Sequence, residues 1–389
     1  MKHKLKTVLS ILLPIVCLIC SMLIICWMGL RVGTASETKP LPASTTDIIR
    51  RFDAFVGSAT SNALGGIVPA SAAEALAAVE KEYFLDRSQT VVPEPNQAFF
   101  RKTTNPSEID LAIEVSQELL DGQDVFWDPT HEIMSGSVIN YYMDETILVI
   151  NWKEVINNVC YTFTEVKIMD ASQFRRYLAD DTFGSSMQYR PSEMAATVNA
   201  VVASNGDFYK HRPDGVIIYK GEVFRVHGYI NQTLHVDMNG DFHFTYEGEI
   251  VTEDQAKAYI EENNIDFSLS FGPVLIDHGE NVNPPSYFLG EPLHPYARSA
   301  ICQLDTLHYL LVHVNEENNH RNVPKMASLA EVLHSRGGIQ MAYALDGGQT
   351  GTVVINDKVI NRVVYNNERT MSDIIYFNTA IPDEEEAGS

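Results

Sequence analysis

Short runs of apolar and β-branched residues, separated by polar turns, dominate the chain from residue 136 onward. Two of the turns, Lys220-Gly221 and Asn239-Gly240, each lie between a pair of such runs, and residues of these types favour tight hairpin turns. The pattern therefore predicts hairpins over 215–226 and 234–246. Further strands are predicted over 146–151, 159–168, 197–204, 268–276, 300–304 and 309–314.

Helical patterns are fewer and lie singly between the strand runs. Thr252-Glu253-Asp254-Gln255 is a capping-box sequence that predicts a helix to about residue 262. Hairpins interrupted by isolated helices predict an α+β fold with a mixed, mostly antiparallel sheet, rather than alternating βαβ units. Other helices are predicted over 71–82, 106–120, 173–178 and 329–335.

One uncharged segment, Thr7–Leu30, differs from everything that follows it. Lys2, Lys4 and Lys6 precede it and Arg31 follows. As a helix it would be about 36 Å long, enough for a ~30 Å hydrocarbon core. It predicts one transmembrane helix ahead of the α+β fold, with the lysines cytoplasmic and the C-terminal domain extracellular at the cell membrane. A cleaved signal peptide is the alternative, and the length of the run favours an uncleaved anchor.

Charge narrows the range of partners. The chain has 28 basic and 51 acidic residues and a net charge of −23. Residues 1–31 hold four of the basic residues and none of the acidic ones, so the remainder carries −27. A surface this acidic argues against nucleic acid and anionic lipid as ligands. Apart from the membrane contact through residues 7–30, we expect the chain to bind neither nucleic acid nor anionic lipid.

Outside the predicted membrane segment the chain has only two cysteines, Cys160 and Cys302. They could form one disulfide or remain two buried thiols, because sequence cannot show whether they lie close together. No Cys/His spacing typical of a metal site is present, and we predict neither a metal nor a cofactor.

Composition divides the chain into five segments. They are the lysines and membrane anchor (1–31), a stalk rich in Ser, Thr, Ala, Gly and Pro (32–70), a helical lead-in (71–135), the main domain (136–380) and an acidic tail (381–389).

The segment with the clearest chemistry runs from Leu345 to Thr350 and reads Leu-Asp-Gly-Gly-Gln-Thr between two apolar strands. Glycines accept unusual φ values and let a ligand approach the main chain closely. Asp346 could therefore be held rigidly and still be reached by a substrate. A plain hairpin turn, in which Asp346 bonds only its own backbone, is the alternative.

Three other strand ends combine glycine or proline with polar side chains, at 203–209, 270–276 and 294–300. Together with the Asp346 turn they resemble the phosphodiester glycosidase family over about 195–378, with weaker support upstream to about 140. The family's Asn-Gly-x-Phe-Phe segment, glycine-flanked hairpin, Gly-Pro strand, strand-opening arginine and Leu-Asp-Gly-Gly turn are matched by Asn205–Tyr209, Gly215–Gly221, Gly272-Pro273, Arg298 and Leu345–Gly348.

The resemblance implies that residues 136–380 hydrolyse a sugar–phosphodiester linkage, on a surface polysaccharide or a teichoic-type polymer. Such a linkage is an anion, and an arginine fork can bind its phosphate bidentately. Arg298 is the first candidate and Arg369 the reserve. Asp346 and Asp207 form the predicted catalytic pair, because an oxocarbenium-like transition state is usually served by two carboxylates. The other predicted substrate contacts are Asn205, Gly206, Gly347, Gly348, Gln349, Thr350 and His294.

The chain departs from the family pattern at two places. Gln349-Thr350-Gly351 stands where Gly-Ser-Ser is usual, and Val314-Asn315 replaces an Asp-Gly after the Arg298 strand. These differences leave the substrate open. They also leave two other functions open: a non-catalytic glycan-binding or envelope-assembly protein, and a phosphodiesterase that cuts the P–O bond.

Overall fold

The structure is a computed structural model, and its strands and helices are numbered here in chain order. It describes residues 84–120, 125–131, 133–134, 136–228, 232–287, 293–317 and 322–381. The strands are β1 (Phe100–Thr103), β2 (Ile139–Met143), β3 (Ile147–Ile156), β4 (Val159–Ile168), β5 (Phe174–Leu178), β6 (Val202–Asn205), β7 (Gly215–Tyr219), β8 (Glu222–His227), β9 (Thr233–Asp237), β10 (Phe242–Thr245), β11 (Ile265–Leu269), β12 (Val274–Asp277), β13 (Glu280–Asn281), β14 (Arg298–Asp305), β15 (His308–Val314), β16 (Met341–Leu345), β17 (Val353–Ile355), β18 (Lys358–Val359) and β19 (Asp373–Phe377). The helices are α1 (Pro106–Leu119), α2 (Pro191–Thr197), α3 (Glu253–Asn263) and α4 (Met326–Arg336).

The strands form two main sheets and two small ones. The central sheet has nine strands in the order β1-β2-β3-β4-β15-β14-β16-β12-β13, and a second sheet has five in the order β18-β17-β6-β19-β5. The hairpin β7–β8 and the three-stranded sheet β10-β9-β11 complete the set. Neighbouring strands in all four sheets run antiparallel, which confirms the predicted α+β class.

The hydrophobic core lies between the two main sheets. Phe174 of β5 stacks on Phe377 of β19 with ring centroids 4.5 Å apart, and its ring is 4.9 Å from that of Tyr309 in β15. Because β15 belongs to the central sheet, these rings join one sheet to the other. Burying each such side chain stabilises the fold by roughly 2–3 kcal/mol.

Most predicted elements are confirmed, including both hairpins and the capping box of Thr252 and Gln255 at the start of α3. The predicted helix over 173–178 is wrong, because this segment is strand β5. Its residues pair with β19 in register, and the Phe174 ring and the Arg176 guanidinium are buried by neighbours distant in sequence. The predicted strand over 268–276 is two strands, β11 and β12, which belong to different sheets and are separated at the cis Gly272-Pro273 bond.

The lead-in joins the central sheet directly. Strand β1 pairs with β2 at one edge of that sheet, and α1 matches the helix predicted over 106–120. The predicted helix over 71–82, the stalk, the Thr7–Leu30 anchor and nearly all of the acidic tail lie outside the described residues. Among the residues that are described, no helix has the length and apolar character needed to cross a membrane. Cys160 and Cys302 are both buried free thiols.

Candidate active site

The Asp346 turn carries the chain from one main sheet to the other. Strand β16 ends at Leu345 in the central sheet, and β17 begins at Val353 in the five-stranded sheet. The alternative of a simple hairpin turn is therefore wrong, because the two strands do not pair with each other. The turn lies where the ends of the two sheets meet, beside the start of β14.

Two glycines fix the turn against the start of β14. Gly348 has φ +64° and donates its N–H to the Ala297 carbonyl at 2.9 Å. A Cβ atom on Gly347 would lie 2.2 Å from that same carbonyl oxygen, and one on Gly348 would lie 2.8 Å from the Tyr296 ring. The close approach of these main chains therefore requires residues without side chains. Pairing between β14 and β16 ends at Ser299 and Leu345, so Asp346 and Arg298, the first residue of β14, lie at the same end of the central sheet.

Asn205 ties the turn to the five-stranded sheet. It is 1% exposed at the end of β6, and its Nδ2 donates to the main-chain carbonyl of Asp346 at 2.9 Å. Its Oδ1 accepts hydrogen bonds from Ser299 Oγ at 3.0 Å and from the Thr352 N–H at 3.2 Å. Asn205 thus positions the Asp346 turn through both its side-chain nitrogen and its side-chain oxygen.

His313 lies behind this junction, with its Nε2 3.0 Å from Ser204 Oγ. Burial lowers the pKa of His313 to about 3, so this imidazole is neutral at physiological pH.

Asp207 is held by the main chain on both of its carboxylate oxygens. The Phe208 N–H donates to Oδ1 at 2.6 Å, and the Ser270 N–H donates to Oδ2 at 2.6 Å. The side chain is 2% exposed, and its Oδ2 lies 4.0 Å from the Arg176 guanidinium. Although Asp207 lines a pocket that Asp346 also lines, its carboxylate serves to fix two neighbouring loops.

A buried ion pair supports the Gly206-Asp207 corner. Arg176 Nε donates to Asp373 Oδ2 at 2.9 Å, the Arg176 Nη2 atom lies 2.7 Å from that oxygen, and the Asp207 N–H donates to it at 2.9 Å. A Cβ atom on Gly206 would lie 2.3 Å from this oxygen, which explains the glycine. Burial raises the pKa of Asp373 to about 6, against the opposing effect of Arg176.

Arg298 lies behind the surface of the site. The residue is 3% exposed, and its Nη2 donates to the main-chain carbonyl of His294 at 2.8 Å. Its guanidinium is 5.8 Å from the centre of the Tyr296 ring. The predicted contact His294 contributes this carbonyl, while the residue itself is exposed. Arg298 therefore supports the wall that Tyr296 forms.

A cleft of about 600 Å³ opens beside the Asp346 turn. Asp346, Gly347, Gly348 and Gln349 line it from the turn, and Arg369 lines it from the segment before β19. Other side chains on its wall are Phe208, Arg212, Phe271, Tyr296, Asn315, Glu316, Arg362 and Tyr365. A cleft of this size is within the range that small-molecule ligands occupy.

Arg369 occupies the junction between this cleft and a smaller side pocket. Phe208, Asp346 and Arg369 line both cavities, and the Arg369 guanidinium is 5.6 Å from the centre of the Phe208 ring. The side pocket is completed by residues that include Asn205, Gly206, Asp207, Thr350 and His211. Burial, together with Arg369 and Lys210, lowers the pKa of His211, which favours a neutral imidazole at this pocket.

The structure thus divides the predicted site residues among the cleft, the side pocket and neither cavity. Asp346, Gly347, Gly348, Gln349 and Arg369 line the cleft, and Asn205, Gly206, Asp207 and Thr350 line the side pocket. Arg298 and His294 are not among the lining residues of either cavity. The sequence predictions omitted Glu316, Arg362 and Tyr365, which the fold brings to the cleft from loops without a recognisable motif. They also omitted Tyr296 as a site residue, although it lies within the 294–300 strand end.

Comparisons with known proteins identify a family over the part of the chain that contains the cleft. The family model for phosphodiester glycosidase matches residues 198–378, which include the cleft residues from Phe208 to Arg369. No curated protein matches the chain.

Two solved structures are similar at low identity. One is the zebrafish N-acetylglucosamine-1-phosphodiester alpha-N-acetylglucosaminidase catalytic domain, auto-inhibited by its pro-peptide, with 17% identity over 68% of this chain and 93% of that chain and a TM-score of 0.47. The other is a hypothetical protein from Synechocystis, with 14% identity over 62% of this chain and 64% of that chain and a TM-score of 0.45. On the family-model match, residues 198–378 form a domain of the phosphodiester glycosidase family.

Proposed function

We propose that this chain hydrolyses the glycosidic bond of a sugar phosphodiester, with Asp346 as the catalytic carboxylate. The observation that carries the proposal is the position of Asp346. It is half-buried where two cavities meet, its main chain is fixed by Asn205, and arginines lie on the walls around it. A fixed carboxylate beside cationic groups suits a reaction in which an anionic group leaves a developing oxocarbenium ion.

Arginine side chains supply the anion recognition. Arg369, Arg212 and Arg362 all line the cleft, although residues 32–389 as a whole carry a net charge of −27. Arg212 is anchored through Nη1 to the main-chain carbonyls of Ser270 and Phe271, at 3.2 and 3.1 Å. Arg369 projects at the junction of the two cavities, so we assign the principal phosphate contact to Arg369 rather than to Arg298.

The reaction breaks the bond between the anomeric carbon and the phosphate oxygen. A water oxygen becomes attached to the anomeric carbon and the water loses one proton, which passes to the departing phosphate or to solvent. The electron pair of the broken bond stays with the phosphate, which leaves as a phosphomonoester. Asp346 stabilises the positive charge that develops on the sugar ring, and Arg369 stabilises the leaving phosphate. Because phosphate is a good leaving group, the site has less need of a strong general acid, consistent with the engaged carboxylate of Asp207.

Isotope labelling tests which bond is cut. We expect hydrolysis of an N-acetylglucosamine 1-phosphodiester in H₂¹⁸O to give labelled free sugar and unlabelled phosphomonoester. Label in the phosphate, with release of sugar 1-phosphate, would instead identify a phosphodiesterase. The Asp346→Asn variant should lose at least ~100-fold in kcat, as loss of a transition-state contact does, while its thermal unfolding stays close to that of the wild type.

A non-catalytic glycan-binding protein is the principal alternative. That alternative requires the wild type to release no sugar from any phosphodiester offered, while the Asp346→Asn and Arg369→Ala variants bind glycan as the wild type does. Either a measurable turnover or a loss of binding in Arg369→Ala contradicts it. The assay needs both a glycan-binding measurement and a product measurement on the same preparation.

The proposal extends to where the chain is located and which kind of polymer it acts on. We assign the chain to the outer face of the cell membrane, anchored by Thr7–Leu30, where it would act on a surface polysaccharide or a teichoic-type polymer. The support is the uncharged length of that segment, the lysines before it and the acidic remainder. Protease added to intact cells should remove the C-terminal domain, and protection of that domain until the cells are lysed would contradict the orientation.

A further inference from the structure

Tyr365 is an exposed aromatic residue in an unusual backbone conformation on the wall of the cleft. Its exposed fraction is 84%, the largest among the exposed large hydrophobic residues of the described chain. Its φ is +63°, which is costly for a bulky residue and occurs where the surrounding structure imposes it. A tyrosine displayed in this way gains nothing from core packing, so its position needs another explanation.

The segment that carries Tyr365 is held by hydrogen bonds on both sides. The Asn366 N–H donates to the Val363 carbonyl at 3.0 Å, and Arg362 Nε donates to Asn366 Oδ1 at 3.1 Å. Gln349 Nε2 donates to the Asn367 carbonyl at 3.0 Å. The last bond comes from the Asp346 turn itself, so the position of Tyr365 is coupled to that of the candidate catalytic residue.

Tyr296 provides a second ring in the same cleft. It is 49% exposed, its ring rests against Gly348 of the Asp346 turn, and the Arg298 guanidinium lies 5.8 Å from the ring centre. The cleft therefore combines a carboxylate, arginines for a phosphate and two tyrosine rings with large exposed areas. Exposed rings of this kind offer apolar faces to a ligand that is polar only at its edges, as a pyranose is.

We propose that Tyr365 is the platform on which a sugar ring of the substrate stacks, and that Gln349 is the positioning residue that holds this platform beside Asp346. The inference rests on the proposed function and adds the residues that recognise the sugar, separately from those that recognise the phosphate. Gln349 stands where the family sequence has glycine, so this tie from the turn to the platform belongs to this chain's own sequence. The arginines bind the anionic part of the ligand, and Tyr365 binds the ring.

Binding measurements in the Asp346→Asn background separate the two parts of the ligand. The probes are N-acetylglucosamine 1-phosphate, which has a ring, and methyl phosphate, which has none, each titrated by calorimetry. We expect Tyr365→Ala to weaken binding of the sugar phosphate about tenfold and to leave methyl phosphate binding unchanged. Tyr365→Phe should restore the affinity, because it keeps the ring. Equal losses for both probes, or no loss for either, would overturn the proposal.

A double-mutant cycle tests the role given to Gln349. Gln349→Ala should weaken sugar phosphate binding by less than Tyr365→Ala does, and the double variant should match Tyr365→Ala alone, because the support has no effect once the ring is gone. Additive losses would show that Gln349 acts on its own and would end the positioning role.

Failure of the proposed function has a different signature. If the wild type hydrolyses no phosphodiester but Tyr365→Ala still discriminates between the two probes, the chain binds sugar phosphates without catalysis. Hydrolysis by the wild type with no discrimination by Tyr365→Ala leaves the catalytic proposal standing and removes the platform.

Discussion

The side-chain amide of Asn205 donates a hydrogen bond to the main-chain carbonyl of Asp346 across the junction of the two main sheets, at 2.9 Å. The same side chain accepts hydrogen bonds from Ser299 and Thr352, so strand β6, strand β14 and the turn are held at one point. Asp346 is therefore positioned by the folded scaffold before any substrate arrives. Such preorganisation is worth most where charge develops during a reaction.

The Asn205→Asp variant removes the donor and keeps the acceptors. A carboxylate oxygen would then face the Asp346 carbonyl, and we expect kcat to fall about 10- to 100-fold and the free energy of unfolding to fall by about 1–3 kcal/mol. Steady-state kinetics and urea unfolding measure the two effects. Ser204→Ala is the control, because it removes the Ser204 contacts to His313 and to Asn205 Oδ1 while the Asn205 bond to Asp346 remains. A wild-type kcat in Asn205→Asp would contradict the role given to this bond.

Gly347 and Gly351 form a matched pair within one turn. A Cβ atom on Gly347 would lie 2.2 Å from the Ala297 carbonyl oxygen, whereas the nearest atom to one on Gly351 lies at 3.6 Å. Gly347→Ala must displace the turn, and we expect it to lose about 1–3 kcal/mol of stability and most of its activity. Gly351→Ala should change either quantity little. Thermal unfolding and activity measured side by side decide the matter, and equal behaviour of the two variants would refute the packing argument.

Arg369 and Arg298 should respond differently to truncation. Arg369→Leu removes a cation from the cleft, so KM for a sugar phosphodiester should rise at least ~10-fold, with little change in stability. Arg298→Leu removes a buried group that bonds the His294 carbonyl, and we expect it to lower the unfolding free energy by about 2 kcal/mol.

Arg190→Leu controls for the loss of one positive charge, since its side chain is 53% exposed beside α2. The effects of the two substitutions on KM are reversed if Arg298 is the true phosphate ligand. In that case Arg298→Leu, and not Arg369→Leu, would raise KM in protein that remains folded.

Local sequence signals predicted the elements whose formation depends on neighbouring residues. Lys220-Gly221, Asn239-Gly240 and the Thr252 capping box each specify a turn or a cap through their own backbone preferences, and each element forms as predicted. The segment 173–178 shows the limit of such signals. Its pairing with β19 and the burial of Phe174 depend on residues about two hundred positions away.

The candidate site likewise combines residues that local sequence signals predict with residues that only distant contacts bring together. The glycine-rich turn identified Asp346, because the main chain itself needs those residues. The sequence motifs ranked Arg298 ahead of Arg369, but they carry no signal for burial, and only the packing shows that Arg298 is buried. Tyr365 gave no signal at all, because the role proposed for it depends on a loop that Gln349 contacts from another part of the chain.

The Asp373 carboxyl should give the unfolding free energy a measurable pH dependence. Burial raises its pKa to about 6 in the folded protein, whereas an aspartate in the unfolded chain has a pKa near 4. Between these values the folded state binds the proton more tightly, so stability from this group is fully present below about pH 4 and is lost as the pH rises through 6. The expected loss is on the order of 2–3 kcal/mol.

Urea unfolding from pH 4 to 7 measures this loss of stability, and carbon NMR of labelled aspartate carboxyls assigns the midpoint to Asp373 without a substitution. Asp373→Asn should remove this component of the pH dependence, even though loss of the partner of Arg176 lowers its stability overall. A carboxyl that titrates below pH 4, or an unchanged pH slope in the variant, would show that the Arg176 pair outweighs the cost of burial.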